Sequence, residues 1–299
     1  MEAGQPSITA IAAARLRAAH LLWGDPPRIF EDTFALPLSG CESEGALRTQ
    51  LERIDAQTAR RSTPELAEAM RRYMTATVIT RSRYVEDEVE QAVRRGISQY
   101  VILGAGLDSF AYRRLDLATF LRVFEVDHPA SQVWKQSRLR DAMIELPPNL
   151  SLVPVDFEQH SFLDSLRLSG YRTDAPGIFS WLGVTTYLTC SAIFDTLQTI
   201  ARLARTEIIF GYLVPEDLMD EEARKILAML KVFAARCGEP FRTFFEPARL
   251  LAEVRKLGFT RISNLSPDEA GACYCKGRTD GLWPFAGEHY MYAGWHGNK

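Results

Sequence analysis

The sequence predicts an α/β protein built on a mostly parallel sheet whose strand carboxyl ends form the functional site. Three observations carry that reading. Tyr100 to Leu103 favours an extended backbone and runs into Gly104-Ala105-Gly106, where two residues without Cβ let the chain take positive φ and admit a ligand close to the main chain. Leu121 to Asp127 is a second strand-like run whose final acid follows the glycines by about 20 residues, the spacing at which a carboxylate meets a ribose. Leu150 to Val155 is a third such run, and it also ends in an acid, Asp156. Successive strands ending in functional loops fit a sheet with helices on both faces.

The remaining elements follow in chain order. From Ile8 to Leu22, apolar residues recur at helical spacing with a charged interruption at Arg15, and Gly24-Asp25-Pro26-Pro27 stops the helix. His20 on that helix reads as packed or solvated. Thr63-Pro64-Glu65 starts a helix with a cap residue, a proline at the first helical position and an early acid. A longer helical stretch from about Ala76 to Arg95 carries Val85, Val89, Ala92 and Val93 on one face and stops at Gly96. Arg81 and Arg83 lie near its beginning, two apart, so they cannot share a face. They are either a solvated basic surface or the source of a guanidinium for the carboxylate of an amino-acid-like ligand.

After Asp127 come His128-Pro129 and a polar helix to about Met143. Gly177 to Val184 gives a fourth strand and its exit turn, a helical stripe from Ile193 to Leu203 follows Thr189, and Glu207 to Val214 is a fifth strand. An amphipathic helix from about Asp217 to Arg236 is an insertion and a candidate lid. Glu246-Pro247 opens a helix closed by Gly258. Phe259 to Leu265 and Ala272 to Cys275 read as strands, and the aromatic tail from Trp283 to Tyr292 reads as docked.

With 299 residues, 46% hydrophobic and 24% charged, the chain is long enough for one large α/β domain with insertions. A net charge of −3 without a basic block disfavours nucleic acid and anionic membranes as partners and leaves a small molecule. No run approaches the ~18 apolar residues of a bilayer span. The five cysteines lack a Cys-x-x-Cys pair and read as reduced thiols of a cytoplasmic protein, a monomer or homodimer. Cys273 and Cys275, alternating on one strand face, read as packing with no metal. A dinucleotide fingerprint would place a third glycine where Ser109 stands, and no triphosphate loop is present. A ligand without phosphates, S-adenosylmethionine, fits better.

Seven stretches support a closer comparison: Arg81 to Asp87, Val101 to Asp108, Phe124 to Pro129, Val155 to Phe157, Ser180 to Leu188, Gly238-Glu239-Pro240 with Phe245-Glu246-Pro247, and Gly277 to Gly281. Together with the early Asp25-Pro26-Pro27 and Phe30-Glu31-Asp32, they make the sequence resemble the leucine carboxyl methyltransferase family, in its bacterial branch of S-adenosylmethionine-dependent methyltransferases. The resemblance implies a class I methyltransferase fold: a Rossmann-like, seven-stranded, mostly parallel sheet with the last strand antiparallel. It implies a single domain, with residues 1–75 as an N-terminal helical cap, 76–215 as the cofactor-binding core, 216–245 as a lid insertion and 246–299 completing the sheet. By the same resemblance Gly104, in the Gly104-Ala105-Gly106 turn, lies against the methionine part of the cofactor. Asp127, followed by His128, meets the ribose, Asp156 and Phe157 bracket the adenine, and Arg81 or Arg83 holds the methionine carboxylate. In one departure, the acid common after the fourth strand is missing near Leu182.

The expected reaction is O-methylation of a small-molecule carboxylate, which needs no proton removed. A hydroxyl acceptor would ask for a base, with His20, His128 and Tyr187 as candidates. A non-catalytic S-adenosylmethionine-binding protein is the further alternative. Tyr187 and Arg242 are the candidate acceptor contacts.

Overall fold

The computed structural model describes residues 7–155 and 162–295. Its strands are β1 (Gln99–Leu103), β2 (Arg122–Asp127), β3 (Leu150–Pro154), β4 (Gly177–Trp181), β5 (Thr206–Leu213), β6 (Arg261–Leu265) and β7 (Glu288–Gly294). They form one sheet in the order β3-β2-β1-β4-β5-β7-β6. The first five pair in parallel, whereas β7 runs antiparallel to both β5 and β6. This is the mostly parallel, seven-stranded sheet of the class I methyltransferase fold. Strands β1, β4 and β5 are buried along their whole length, which is why they read as continuous apolar runs rather than alternating ones.

Four helices precede the sheet: α1 (Ile8–Trp23), α2 (Ala35–Leu38), α3 (Glu44–Ala59) and α4 (Pro64–Arg94). Between the strands lie α5 (Phe110–Arg113), α6 (Pro129–Asp141), α7 (Phe162–Leu168), α8 (Cys190–Ala201), α9 (Glu221–Arg236), α10 (Pro247–Lys256) and α11 (Pro267–Tyr274). The proline-first starts hold: Thr63 caps α4, His128 caps α6 and Glu246 caps α10 through their side chains.

Three elements differ from the sequence reading. The helix expected from about Ala76 is the second half of one 31-residue helix, α4. The threonines in its middle are buried, and Thr75, Thr77 and Thr80 donate their hydroxyls to the carbonyls of Arg71, Tyr73 and Ala76 at 2.8, 2.8 and 2.7 Å. Each polar atom is thereby satisfied without breaking the helix. Ala272 to Cys275 is not a strand. Ser266 and Glu269 form a reciprocal capping box that starts α11, and the alternation belongs to its last turn, with Cys275 buried and Cys273 exposed. The final strand is the aromatic tail itself, β7, buried on both faces except at His289 and so without a period-2 signal.

Two of the sequence stretches prove to be structural ties. Asp32, fully buried, accepts from Arg17 Nε at 2.7 Å and lies 3.5 Å from Arg113 Nε. Burial alone would raise its carboxyl pKa, but the two guanidiniums hold it below the usual value. Arg278, ion-paired with Asp280, donates to the carbonyls of Asp25 and Pro27 at 2.8 and 2.5 Å, clamping the loop after α1 to the segment before β7.

Candidate functional site

A cavity of about 1500 Å³ opens where the carboxyl ends of β1, β2 and β4 meet helices α1, α3, α4 and α9. It exceeds the roughly 300–1,000 Å³ of a pocket for one drug-sized ligand, so it has room for two. A smaller cleft of about 400 Å³, lined by Tyr84, Glu88 and Tyr274 among others, lies between α4 and α11 and touches none of these strand ends.

The glycine turn forms the cavity floor. Gly104 and Gly106 have φ of 65° and 49°, and the N–H groups of Gly104 and Ala105 donate to the Val126 carbonyl at 2.8 and 3.1 Å. A Cβ on Gly104 would sit 2.4 Å from Val184 Cγ2, so the position tolerates no side chain. The turn leads only into the four-residue α5, whose Ser109 is buried. A long helix N-terminus for a pyrophosphate is therefore not built here.

Asp127 ends β2 beside this turn. Its carboxylate accepts from the Gly106 N–H and, at 2.6 Å, from the His128 N–H. Burial raises its pKa against the pull of those two donors. The residue lines the cavity. Beneath the turn, Lys135 pairs with Glu125 at 2.5 Å and donates to the Asp108 carbonyl at 2.6 Å. Above it, Arg17 of α1 donates to the Leu107 carbonyl at 2.6 Å, so the Asp32 tie positions α1 over the turn.

The two arginines separate as their spacing requires. Arg81 faces the cavity and pairs with Glu288, at the start of β7, at 3.1 Å. Its guanidinium lies against Gly183, where a Cβ would come within 3.0 Å of Nη2. Arg83 points away, pairs with Asp87 and lies 3.9 Å from Glu90. It does not line the cavity.

The other candidates divide similarly. Tyr187 lines the cavity, and burial first, with Glu239 next, pushes its phenol up to about 12. His128 lines it too, but its Nδ1 accepts from the Ala130 N–H at 3.2 Å as the cap of α6. His20 lies outside it, accepts from the Ile29 N–H at 3.1 Å, and is lowered to about 4 by burial and by Arg278 and Arg28. Arg242 stands exposed on the cavity rim. Asp156 and Phe157 lie outside the described residues.

Sequence reasoning missed Glu288, and it singled out Glu239 only as part of the Gly238-Glu239-Pro240 stretch, without a partner. Glu288 is an acid buried inside an aromatic tail, the one signal that could have marked it. Glu239, in the loop after α9, accepts from the hydroxyls of Thr9 and Ser7 at 2.7 and 3.3 Å, joining that loop to the first turn of α1 across the cavity.

The leucine carboxyl methyltransferase profile matches residues 10–201. The chain belongs to the leucine carboxyl methyltransferase family. It is 31% identical over 307 residues to YktD of Bacillus subtilis, provisionally named as an S-adenosyl-L-methionine-dependent methyltransferase, covering 98% of this chain and 99% of that protein. A Mycobacterium ulcerans protein of the same provisional name is 33% identical over 219 residues, 73% of this chain and 68% of its own. Among solved structures, a provisionally named methyltransferase from Thermobifida fusca superposes with a TM-score of 0.57 at 17% identity, covering 99% of this chain and 97% of that one. That likeness shows the fold alone. The leucine carboxyl methyltransferase match contains α1 from its third residue, Arg81, the glycine turn, Asp127 and Tyr187, whereas α9, Glu239, Arg242 and Glu288 lie beyond it.

Proposed function

We propose that this S-adenosylmethionine-dependent methyltransferase acts on a carboxylate oxygen of a small organic acid. The observation that carries the acceptor reading is that Tyr187, His128 and His20 offer no free base, while the donor is carried by the Arg81–Glu288 pair standing in the same cavity as the Gly104–Gly106 turn and Asp127. An ion pair offers a zwitterion both of the charges it needs, so the Arg81 guanidinium suits the methionine carboxylate and Glu288 suits its ammonium. Glu288 would then do the work of the acid that is missing near Leu182. Asp127 suits the ribose hydroxyls, and the side-chain-free turn admits the methionine part. The donor, when bound, supplies an electrophilic methyl group on a sulfonium for in-line displacement.

The chain's own residues would orient the acceptor and exclude water, with α9 and the 238–242 loop as the cover. A carboxylate is ionised at neutral pH and forms its new O–C bond without losing a proton. That requirement suits the groups at hand: the Tyr187 phenol stays protonated, His128 Nδ1 is engaged in a cap, and His20 is remote. A hydroxyl acceptor would need a base that these three do not provide.

Calorimetry with S-adenosylmethionine, S-adenosylhomocysteine and NADH tests the donor site, and no heat with either sulfur ligand would sink the assignment. A panel of acids and phenols followed by mass spectrometry tests the acceptor. Turnover with phenols but never with acids would remove the carboxylate reading, and tight donor binding without any turnover would favour a non-catalytic binder. For the zwitterion match, Glu288→Gln should weaken S-adenosylhomocysteine by about 10-fold or more, as expected for loss of a charge-assisted bond. A desamino analogue should bind wild type and variant equally. If the analogue loses as much, Glu288 acts only through the fold.

A further inference from the structure

We infer that the acceptor is a bulky, apolar carboxylic acid whose carboxylate is taken by Arg15 and whose body fills a chamber between α3, α4 and α9. The inference rests on the carboxylate reading above and names the class of acid. Its first support is Arg15. Ala12, Arg15 and Leu16 share one face of α1 at spacings of three and four, and all three line the cavity. Three other arginines that line the cavity have carboxylates: Arg17 pairs with Asp32, Arg81 with Glu288, and the exposed Arg71 with Asp55 at 3.0 Å. Arg15 pairs with none among the described residues, and its Nε is buried without a hydrogen-bond partner. A desolvated guanidinium N–H left unmet is costly, and a bound carboxylate would satisfy it bidentately. Arg61, Arg236 and Arg242 also line the cavity but are exposed at its rim.

The second support is the far wall. Leu51 and Ile54 of α3, Met70 and Met74 of α4, and Met229 and Phe233 of α9 line it. Helix α9 buries Ile226, Leu227 and Ala234 in the core on one face. On another, Met229, Val232 and Phe233 recur at i, i+3 and i+4 toward the cavity, and Val232 and Phe233 remain 53% and 37% exposed. Large apolar side chains left open inside a concave site mark a surface for an apolar ligand, and methionines let such a wall adapt to its shape.

The test uses straight-chain acids from butanoate to decanoate with the purified enzyme and saturating S-adenosylmethionine. The kcat/KM should rise about fourfold per added methylene until the chamber is full. By calorimetry on protein loaded with S-adenosylhomocysteine, Arg15→Gln should weaken decanoate at least 10-fold, and Arg15→Lys should recover part of the loss. The affinity for S-adenosylhomocysteine itself should stay within twofold. A flat length profile overturns the chamber, and an equal loss of S-adenosylhomocysteine affinity in Arg15→Gln moves Arg15 to the donor site and overturns its assignment. Short polar acids methylated while decanoate neither binds nor reacts would overturn this inference and leave the carboxylate reading standing. Methylation of decanol in place of decanoate would remove both.

Discussion

Asp127→Asn should weaken S-adenosylmethionine binding by roughly 10- to 100-fold, the range expected when hydrogen bonds to a charged acceptor are lost. The substitution keeps the shape of the side chain and removes the charge that the ribose hydroxyls would meet. It has a structural cost as well. The carboxylate receives the Gly106 N–H on one oxygen and the His128 N–H on the other, and an amide nitrogen can accept neither. A fall of about 1 kcal/mol in stability, from one orphaned N–H, should therefore accompany the loss of affinity. The two effects are separable with adenosine and 2′-deoxyadenosine as ligands. Wild type should prefer adenosine, and the variant should discriminate much less. An equal loss for both nucleosides would show that Asp127 shapes the turn without touching the ribose.

Gly104→Ala should be strongly destabilising, because this position combines a positive φ with a steric clash. At a φ of 65° an alanine carries about 1–2 kcal/mol of backbone strain, and its Cβ would stand 2.4 Å from Val184 Cγ2, adding about 1–3 kcal/mol of overlap. Thermal denaturation should fall by roughly 5–10 °C. Val184→Ala in the same chain should return the overlap share but not the strain, so the double variant should melt between the two. Donor affinity should stay depressed in the double variant, because the added methyl still occupies the cavity floor. A double variant that melts no higher than Gly104→Ala alone would mean that Val184 is not the neighbour that matters.

The parts of this protein that could be read from its sequence are those where one local cause decides the outcome. β1 ends where two glycines permit positive φ, and β2 ends in an acid at the spacing of a nucleoside pocket. Arg81 and Arg83 were confined to opposite sides of a helix by their spacing, but only the packing of β7 against β5 decided which side is the inside. Strand β7 itself was illegible because burial on both faces erases alternation. Ala272 to Cys275 alternates by accident inside a helix whose start is written earlier, in Ser266-Pro267-Asp268-Glu269. Helix α3 went unread because it is polar and buries only Leu47. Arg15 looked like an interruption in an apolar helix, since a sequence does not say that its neighbours are a cavity and not a core.

The hydrogen bonds from Thr9 and Ser7 to Glu239 also bear on how the protein is handled. They put the first described turn of the chain at the cavity mouth, stitched to the loop that borders it. A bulky group attached at Ser7 itself would stand beside that opening and crowd whatever enters. Gly294 lies at the opposite edge, because its pairing with Arg261, and that of Ala293 with Ile208, belong to the end of the sheet away from the glycine turn. Immobilisation chemistry attached near Gly294 therefore leaves the cavity mouth clear, so that ligand entry and exit rates can be measured undisturbed.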